Sequence, residues 1–265
     1  MAPVSPDLEL ALRLADAADV ITIDRFGALD LEVTSKPDLT PVSDADTAVE
    51  SAIRHLLAVE RPDDAVLGEE NGWSGDAARR WVIDPIDGTK NFVRAVPVWA
   101  TLIALMDDDG VAVGVISAPA LSRRWFAVRD GGAWALATGE SADQARQITV
   151  SKVGDLADAS LGYSDLVGWD FHNGREPFMT LMDSVWRTRA YGDFWTYCMV
   201  AEGSLDVGVE PIVTLWDLAP LALLVSEAGG RFTGVNGKEG PDNGSAVATN
   251  GLLHDATLAV IGYQP

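Results

Sequence analysis

The chain is poor in the residues that do covalent and redox work. It has one cysteine, Cys198, and three histidines among 265 residues. A single cysteine rules out an internal disulfide and points to a reducing compartment. Positive charge is also scarce: 19 Lys and Arg face 40 Asp and Glu, for a formal net charge of -21. Binding nucleic acid needs basic surface to replace counterions, so nucleic acid is a poor partner, and an anionic membrane fails for the same reason. Long apolar runs are missing. The longest, around 99–106 and 218–225, are far too short to span a bilayer. The opening Met1-Ala2-Pro3-Val4-Ser5 has neither the basic nor the apolar region of a secretory signal. These features predict a soluble, cytoplasmic protein with neither nucleic acid nor membrane as partner.

What is present is acid in organised places. The length allows one large or two intimate domains with ample core. A phosphorylated small molecule would be repelled by so acidic a chain unless metal ions reverse the local field.

Hydrophobic periodicity and turn residues predict the elements. Ser5-Pro6 caps a first helix with Leu8, Leu12, Ala15, Val20 and Ile23 on its apolar face, ending at Gly27. Lys36-Pro37-Asp38 is a loop. Ser43 or Asp44 caps a second helix with Val49, Ile53, Leu56 and Leu57 on its inner face. A short strand covers 65–67, a polar surface loop 70–80, and a strand 81–83. Strands at 98–106 and 111–117 flank Asp107-Asp108-Asp109-Gly110, a hairpin signal. A second hairpin joins 124–128 to 133–136. The polar segment 138–147 is the expected domain boundary, dividing 1–137 from 138–265. Beyond it, strands at 160–163, 188–190, 205–210, 230–233 and 246–249 alternate with helices at 176–185, 193–203 and 214–228, before a closing helix. The fold class is α/β overall, with an α+β N-terminal half and an α/β C-terminal half.

The chemistry concentrates in Trp81-Val82-Ile83-Asp84-Pro85-Ile86-Asp87-Gly88-Thr89-Lys90-Asn91-Phe92. An apolar strand runs into two carboxylates, which are costly to bury unpaired. Pro85 makes a tight turn, so Asp84 and Asp87 can converge with the Ile86 carbonyl between them. A lone Asp-x-x-Asp would be an ordinary helix-capping turn. The strand, Pro, Gly, Thr and Asn around this one favour a site for Mg²⁺, which takes about six hard oxygen ligands. Gly88 and Thr89 can offer backbone N–H groups to phosphate oxygens. Glu69 and Glu70 follow a strand after Gly68, one as ligand and one in support. Asp44 and Asp46 stand at a helix N-terminus, where acids are stabilised anyway, and Asp217 follows Trp216 at the start of another helix.

Gly68-Glu69-Glu70, the segment 81–92 and Leu215-Trp216-Asp217-Leu218-Ala219 together resemble the inositol monophosphatase family of Mg²⁺-dependent, lithium-sensitive phosphatases. The resemblance implies a layered αβαβα fold and a homodimer. It implies that Glu69, Asp84, Asp87, Asp217 and the Ile86 carbonyl are metal ligands. Asp46 matches the acid that pairs with the motif threonine, Thr89, and Lys36 matches a lysine near that site. Hydrolysis would then proceed by in-line attack of a metal-activated water, oriented by Thr89 and Asp46 with Glu70 in support. No cysteine or histidine nucleophile is required, and His55, His172 and His254 read as surface or structural residues.

The substrate region is expected at the start of the 193–203 helix and the strand end at Glu210. Asp193 and Phe194 stand where inositol phosphatases usually have small residues. The acid pair Asp193 and Glu210 would attract a cationic alcohol, and an aromatic ring suits a flat one. This pattern, with Arg94, Arg187 and Arg189 as the nearby positive charges, resembles the histidinol-phosphatase branch. Trp169 and Trp195 fit pocket or core, with core favoured. The expected substrate is therefore histidinol phosphate, a small phosphate ester. The alternatives are an inositol or sugar monophosphatase of the same family, and an inactive metal-binding regulatory protein. A nucleoside bisphosphate fits less well, since little here would hold a second phosphate.

Overall fold

The computed structural model describes residues 5–37, 39–172 and 174–261, without the side chains of Phe171 and His172. The expectations for His172 and for Asp38 in its loop lie outside the described residues. In chain order the first elements are α1 (Pro6–Arg25), β1 (Val33–Ser35), β2 (Pro41–Ser43), α2 (Asp44–Glu60), β3 (Ala65–Gly68), β4 (Gly72–Ser74), β5 (Arg80–Asp87) and α3 (Thr89–Phe92). Then come β6 (Ala100–Asp107), β7 (Gly110–Ala118), β8 (Arg123–Val128), β9 (Gly132–Ala137), β10 (Arg146–Ile148) and β11 (Ser160–Gly162). The chain continues with α4 (Arg175–Ser184), β12 (Arg187–Arg189), α5 (Asp193–Ala201), β13 (Val207–Glu210), α6 (Leu215–Glu227), β14 (Arg231–Thr233), β15 (Ala246–Thr249) and α7 (His254–Ile261).

Two sheets carry the architecture. The first has eight strands in the order β10-β9-β8-β7-β6-β5-β3-β4, antiparallel except for the parallel β3–β5 pair. The second has five, in the order β12-β11-β13-β15-β14; β11 runs parallel to β12 and β13, and β15 runs antiparallel to both its neighbours. Strand alternation sets the layers. On β5, Trp81 and Ile83 pack against α1 and α2, while Val82 faces Ala219 of α6. Each such fully buried side chain contributes roughly 1.5–3 kcal/mol. The opposite face of the first sheet packs on α5 and α6, and those helices also meet Phe232, Ala246 and Ala248 of the second sheet. Phe178 and Leu181 of α4 and Ile261 of α7 cover the far side. The layers are thus helix, sheet, helix, sheet, helix. Gly114 on β7 permits the middle contact: a Cβ there would lie 2.9 Å from Pro220 Cα of α6.

The differences from the sequence reading have local causes. Helix α1 begins as expected, with Ser5 accepting from the Leu8 N–H at 3.1 Å. Its inner face is Leu8, Ala11, Ala15, Ala18 and Thr22, and Val20 and Ile23 are 73% and 48% exposed. The 3.6-residue period carries those two to the outer side, and Thr22 is tolerated inside because its hydroxyl donates to the Ala18 carbonyl. The polar stretch 70–80 is not all loop, since β4 adds an edge strand there. The β1–β2 ribbon has no alternating pattern, with all of β1 exposed, so nothing marked it in advance. Segment 138–147 leads into β10, which is the outer strand of the first sheet. Among the described residues, no helix is long and apolar enough to cross a membrane.

Candidate active site

Strand β5 delivers the central carboxylates. Its pairing with β6 slips between Asp84, opposite Leu102, and Asp87, opposite Ala100. Three steps on β5 match two on β6, a bulge that Pro85 favours because it has no N–H to give the ladder. The Thr101 hydroxyl donates to the Pro85 carbonyl at 2.8 Å, fixing the bulge. Asp84 Oδ1 accepts from the Ile86 N–H at 2.9 Å, and Asp87 Oδ2 from the Phe194 N–H at 2.7 Å.

Asp217 arrives from the other half of the chain. It is the third residue of α6, and its Oδ2 accepts from the N–H and the hydroxyl of Thr214, both at 2.8 Å. The cap is therefore Thr214, and Asp217 closes a capping box. Carboxylate oxygens of Asp84, Asp87 and Asp217 lie within 4.8 Å of one another. Among the described residues, no ion pair brings a basic side chain to these three. Burial, then the charges of Glu69, Asp87 and Asp217, push Asp84 well above the usual carboxylate range. Burial, then Asp193 and Asp217, do the same to Asp87. Burial also raises Asp217, against the opposing bonds from Thr214. Buried, mutually repelling, all-oxygen donors fit a hard divalent cation.

Glu69 and Glu70 turn in beside this cluster. The Glu69 N–H donates to the Ile83 carbonyl at 3.2 Å. Lys36, just past β1, lies 2.7 Å from a carboxylate oxygen of each glutamate. Burial alone would lower the Lys36 ammonium, but its bonds to Glu69 and Glu70 outweigh this and raise it. Burial raises the Glu70 carboxyl, and Lys36 opposes the shift.

The Thr89 hydroxyl lies 2.9 Å from the Ile86 carbonyl and 3.3 Å from Asp46 Oδ1. Asp46 is fully buried at the start of α2, where its Oδ2 accepts from the N–H and hydroxyl of Ser43 at 2.8 and 2.6 Å. Burial raises its carboxyl, and the Ser43 bonds oppose. Gly88, with φ +83°, makes the turn into α3. Asp44, by contrast, pairs with Arg25 at 2.8 Å.

Glu69, Asp87, Gly88, Thr89 and Asp217 line a cavity of about 370 Å³ whose walls also include Lys90, Ser164, Asp193, Tyr197 and Glu210. Asp193 follows Gly192 in a left-handed conformation, φ +49°, and its Oδ2 accepts from Asn91 Nδ2 at 3.0 Å. Burial, then Asp217, raise its carboxyl to about 6, and Lys90 opposes. Glu210, at the end of β13, accepts from the hydroxyls of Ser164 and Tyr197. Burial pushes it up to about 8.

Phe194 borders the cavity as expected, but its ring is fully buried against Trp125, with centroids 6.1 Å apart, and its backbone N–H donates to Asp87. Several other expected residues stand elsewhere. Arg189 is exposed on the edge strand β12, its guanidinium donating to the Thr188 carbonyl, and is not in the cavity wall. Arg94 is exposed, and Arg187 donates to the Tyr191 hydroxyl at 3.0 Å. The cation facing Asp193 is instead Lys90, which sequence reasoning passed over although it lies inside the motif. Ser164 and Tyr197 were also missed, and no local signal marks either. Trp169 is core, stacked on Phe178 at 4.4 Å, and Trp195 packs on Tyr191. His55 is exposed, and His254 is buried between the hydroxyls of Thr233 and Thr249.

A family model described as the inositol monophosphatase family matches residues 4–262. The chain belongs to the inositol monophosphatase family. Within the family it is 59% identical over 255 residues to a histidinol-phosphatase of Mycobacterium tuberculosis, covering 95% of this chain and 96% of that one. It is 57% identical over 262 residues to a histidinol-phosphatase of Streptomyces coelicolor, covering 97% of each. Among solved structures, an inositol monophosphatase from Zymomonas mobilis superposes with a TM-score of 0.83 at 31% identity, over 97% of this chain and 98% of that one. The layered fold is thus that of a family of phosphatases.

Proposed function

We propose that this family member is a divalent-metal-dependent phosphate-monoester hydrolase that converts histidinol phosphate to histidinol and phosphate, as a step in histidine biosynthesis. The observation that carries the reaction class is the meeting of Asp84, Asp87 and Asp217, two of which, Asp87 and Asp217, line one cavity. Near-full-length likeness to two histidinol-phosphatases supports the substrate. Those three carboxylates, with Glu69 and the Ile86 carbonyl, would hold the metal, and all-oxygen donors favour Mg²⁺. Bound there, the ion supplies Lewis-acid stabilisation of charge on the phosphoryl and leaving oxygens and lowers the pKa of the attacking water.

The protein's own groups do the rest. Thr89, between the Ile86 carbonyl and Asp46, orients the water and relays a proton to the buried Asp46 carboxylate. The N–H groups of Gly88 and Thr89 hold phosphate oxygens. Glu70, bound to Lys36, supports the Glu69 side of the site. Asp193 and Glu210 form an acidic wall that favours a substrate carrying an ammonium or imidazole over a neutral polyol. The working assembly is read as a cytoplasmic homodimer, with exposed Val167, Trp186 and Ile212 supplying apolar surface.

A phosphate-release assay with Mg²⁺ over histidinol, inositol, fructose and nucleotide esters tests the reading. Histidinol phosphate should be turned over far faster than inositol 1-phosphate. Equal rates would move the assignment to a broad monophosphatase, and no release from any ester would leave only a metal-binding protein.

A further inference from the structure

Helix α2 carries acids and a base at successive turns: Asp46, Glu50 and Arg54, four residues apart. Asp46 reaches Thr89. Glu50 is fully buried, yet its carboxylate touches no reacting group. Its Oε2 accepts from the Glu70 N–H at 2.8 Å. Its Oε1 accepts from the Asn71 N–H at 3.1 Å, from Asn71 Nδ2 at 3.0 Å and from Arg54 Nε at 2.7 Å. Arg54 continues the clamp, donating to the Gly72 carbonyl at 2.5 Å and to Ser74 Oγ at 2.8 Å. The space for the Glu50 carboxylate exists because residue 68 has no Cβ, which would overlap it.

We propose that Glu50 is a positioning residue: its carboxylate fixes the backbone of the Glu69-Glu70-Asn71 turn and thereby sets where Glu69 meets the Asp84/Asp87/Asp217 cluster. This rests on the metal-dependent reading above. A buried charge is costly, and four donors to one carboxylate are more than a helix needs to stay folded. Three of the four donors come from the turn between β3 and β4, the fourth being Arg54 of α2 itself. The turn has little core of its own, since Glu69 and Glu70 are half-buried and Asn71 is exposed. Without Glu50, the amides of residues 70 and 71 lose their acceptors, and the turn is held mainly by the Glu69–Ile83 bond and Lys36. Because Asp46 sits one helical turn away, α2 places the metal-side turn and the proton-side acid as one rigid piece.

The test uses the full-length chain and Mg²⁺ alone as probe. Glu50→Gln keeps the volume but offers one acceptor oxygen and turns an NH₂ toward a donor. Asn71→Ala removes one of the four bonds from an exposed position. Ile53→Val, in the core of the same helix, controls for simple loss of stability. The concentration of Mg²⁺ giving half its effect is read twice: from the rise in melting temperature without substrate, and from activation of hydrolysis. Glu50→Gln should raise it about tenfold in both, as loss of a supporting contact to a metal ligand typically does, while the rate at saturating Mg²⁺ stays within about twofold. Asn71→Ala should move it the same way by less, and Ile53→Val not at all. An unmoved midpoint in Glu50→Gln, or in Asn71→Ala should Glu50→Gln fail to fold, overturns the proposal, as does a shift no larger than that of Ile53→Val. Should the wild type be stabilised by Mg²⁺ but release no phosphate, the hydrolase reading falls, and the melting series still decides the role of Glu50. A wild type that Mg²⁺ does not stabilise overturns the role as well.

Discussion

The Phe194 N–H donates to Asp87 Oδ2 across 2.7 Å, tying the helix that carries Asp193 to the strand that carries the clustered carboxylates Asp84 and Asp87. Asp87→Asn keeps an acceptor for this bond and removes one of three clustered charges. Hydrolysis should fall at least a hundredfold, and the Mg²⁺-dependent rise in melting temperature should disappear. Metal-free stability should not fall, because repulsion is relieved. Calorimetric melts with and without Mg²⁺ check this; full metal stabilisation in the variant would remove Asp87 from the site.

The metal-free protein should lose stability as pH rises. Asp84 and Asp87 have folded-state pKa values above their unfolded ones, so the folded state holds more protons. Their contribution is fully present below the unfolded carboxylate range and is lost as pH climbs through the raised values. Urea midpoints in chelator should fall as pH rises above the ordinary carboxylate range, more steeply for wild type than for Asp87→Asn, and Mg²⁺ should flatten the difference. Parallel slopes would contradict the clustering.

Thr89 and Asp46 should act as a unit. Thr89→Ala is expected to lower kcat by about 10²–10⁴-fold. Adding Asp46→Asn should cost little more, because the hydroxyl already links that acid to the reaction. Rates of the single and double variants form the test, and multiplicative losses would separate the two roles.

Glu210, with its carboxyl raised to about 8, holds a proton at neutral pH before substrate enters. A cationic substrate favours the ionised form, so KM for histidinol phosphate should fall as pH rises toward 8, and Glu210→Gln should flatten that dependence. Calorimetry in buffers of different ionisation enthalpy should show proton release on binding in wild type only. An identical pH profile in the variant would remove Glu210 from recognition.

His254 offers a control far from the cavity. Burial holds its imidazole down, to about 4, between the hydroxyls of Thr233 and Thr249. The unfolded chain then binds the proton first as pH falls, so the stability from this residue is present above about 6.5 and is lost toward pH 4. The urea midpoint of wild type should therefore approach that of His254→Gln over that interval. A gap independent of pH would mean the ring is not held neutral.

Much of the site was legible because it is local. Asp84 through Thr89 share one motif, and Glu69 and Asp217 each stand beside an apolar run that announces a strand or helix end. What the sequence hides is set by pairing at a distance. Glu50 carries no signal of its own until the 68–71 turn is laid against it. Ser164 and Tyr197 meet Glu210 only after β11, α5 and β13 assemble. Phe194 and Arg189 were judged by residue type, whereas the direction of each side chain is decided by packing: a ring turned into the core, and a guanidinium left on an edge strand. The outer face of α1 was misread because apolar residues occur on both its sides.

Gly114 lets α6 settle onto the first sheet while the same helix also packs on strands close to the C-terminus. If Asp217 completes the metal site as proposed, a nascent chain carries Asp84 and Asp87 before that site can form, and a product terminated ahead of residue 217 should neither bind the ion nor hydrolyse phosphate esters.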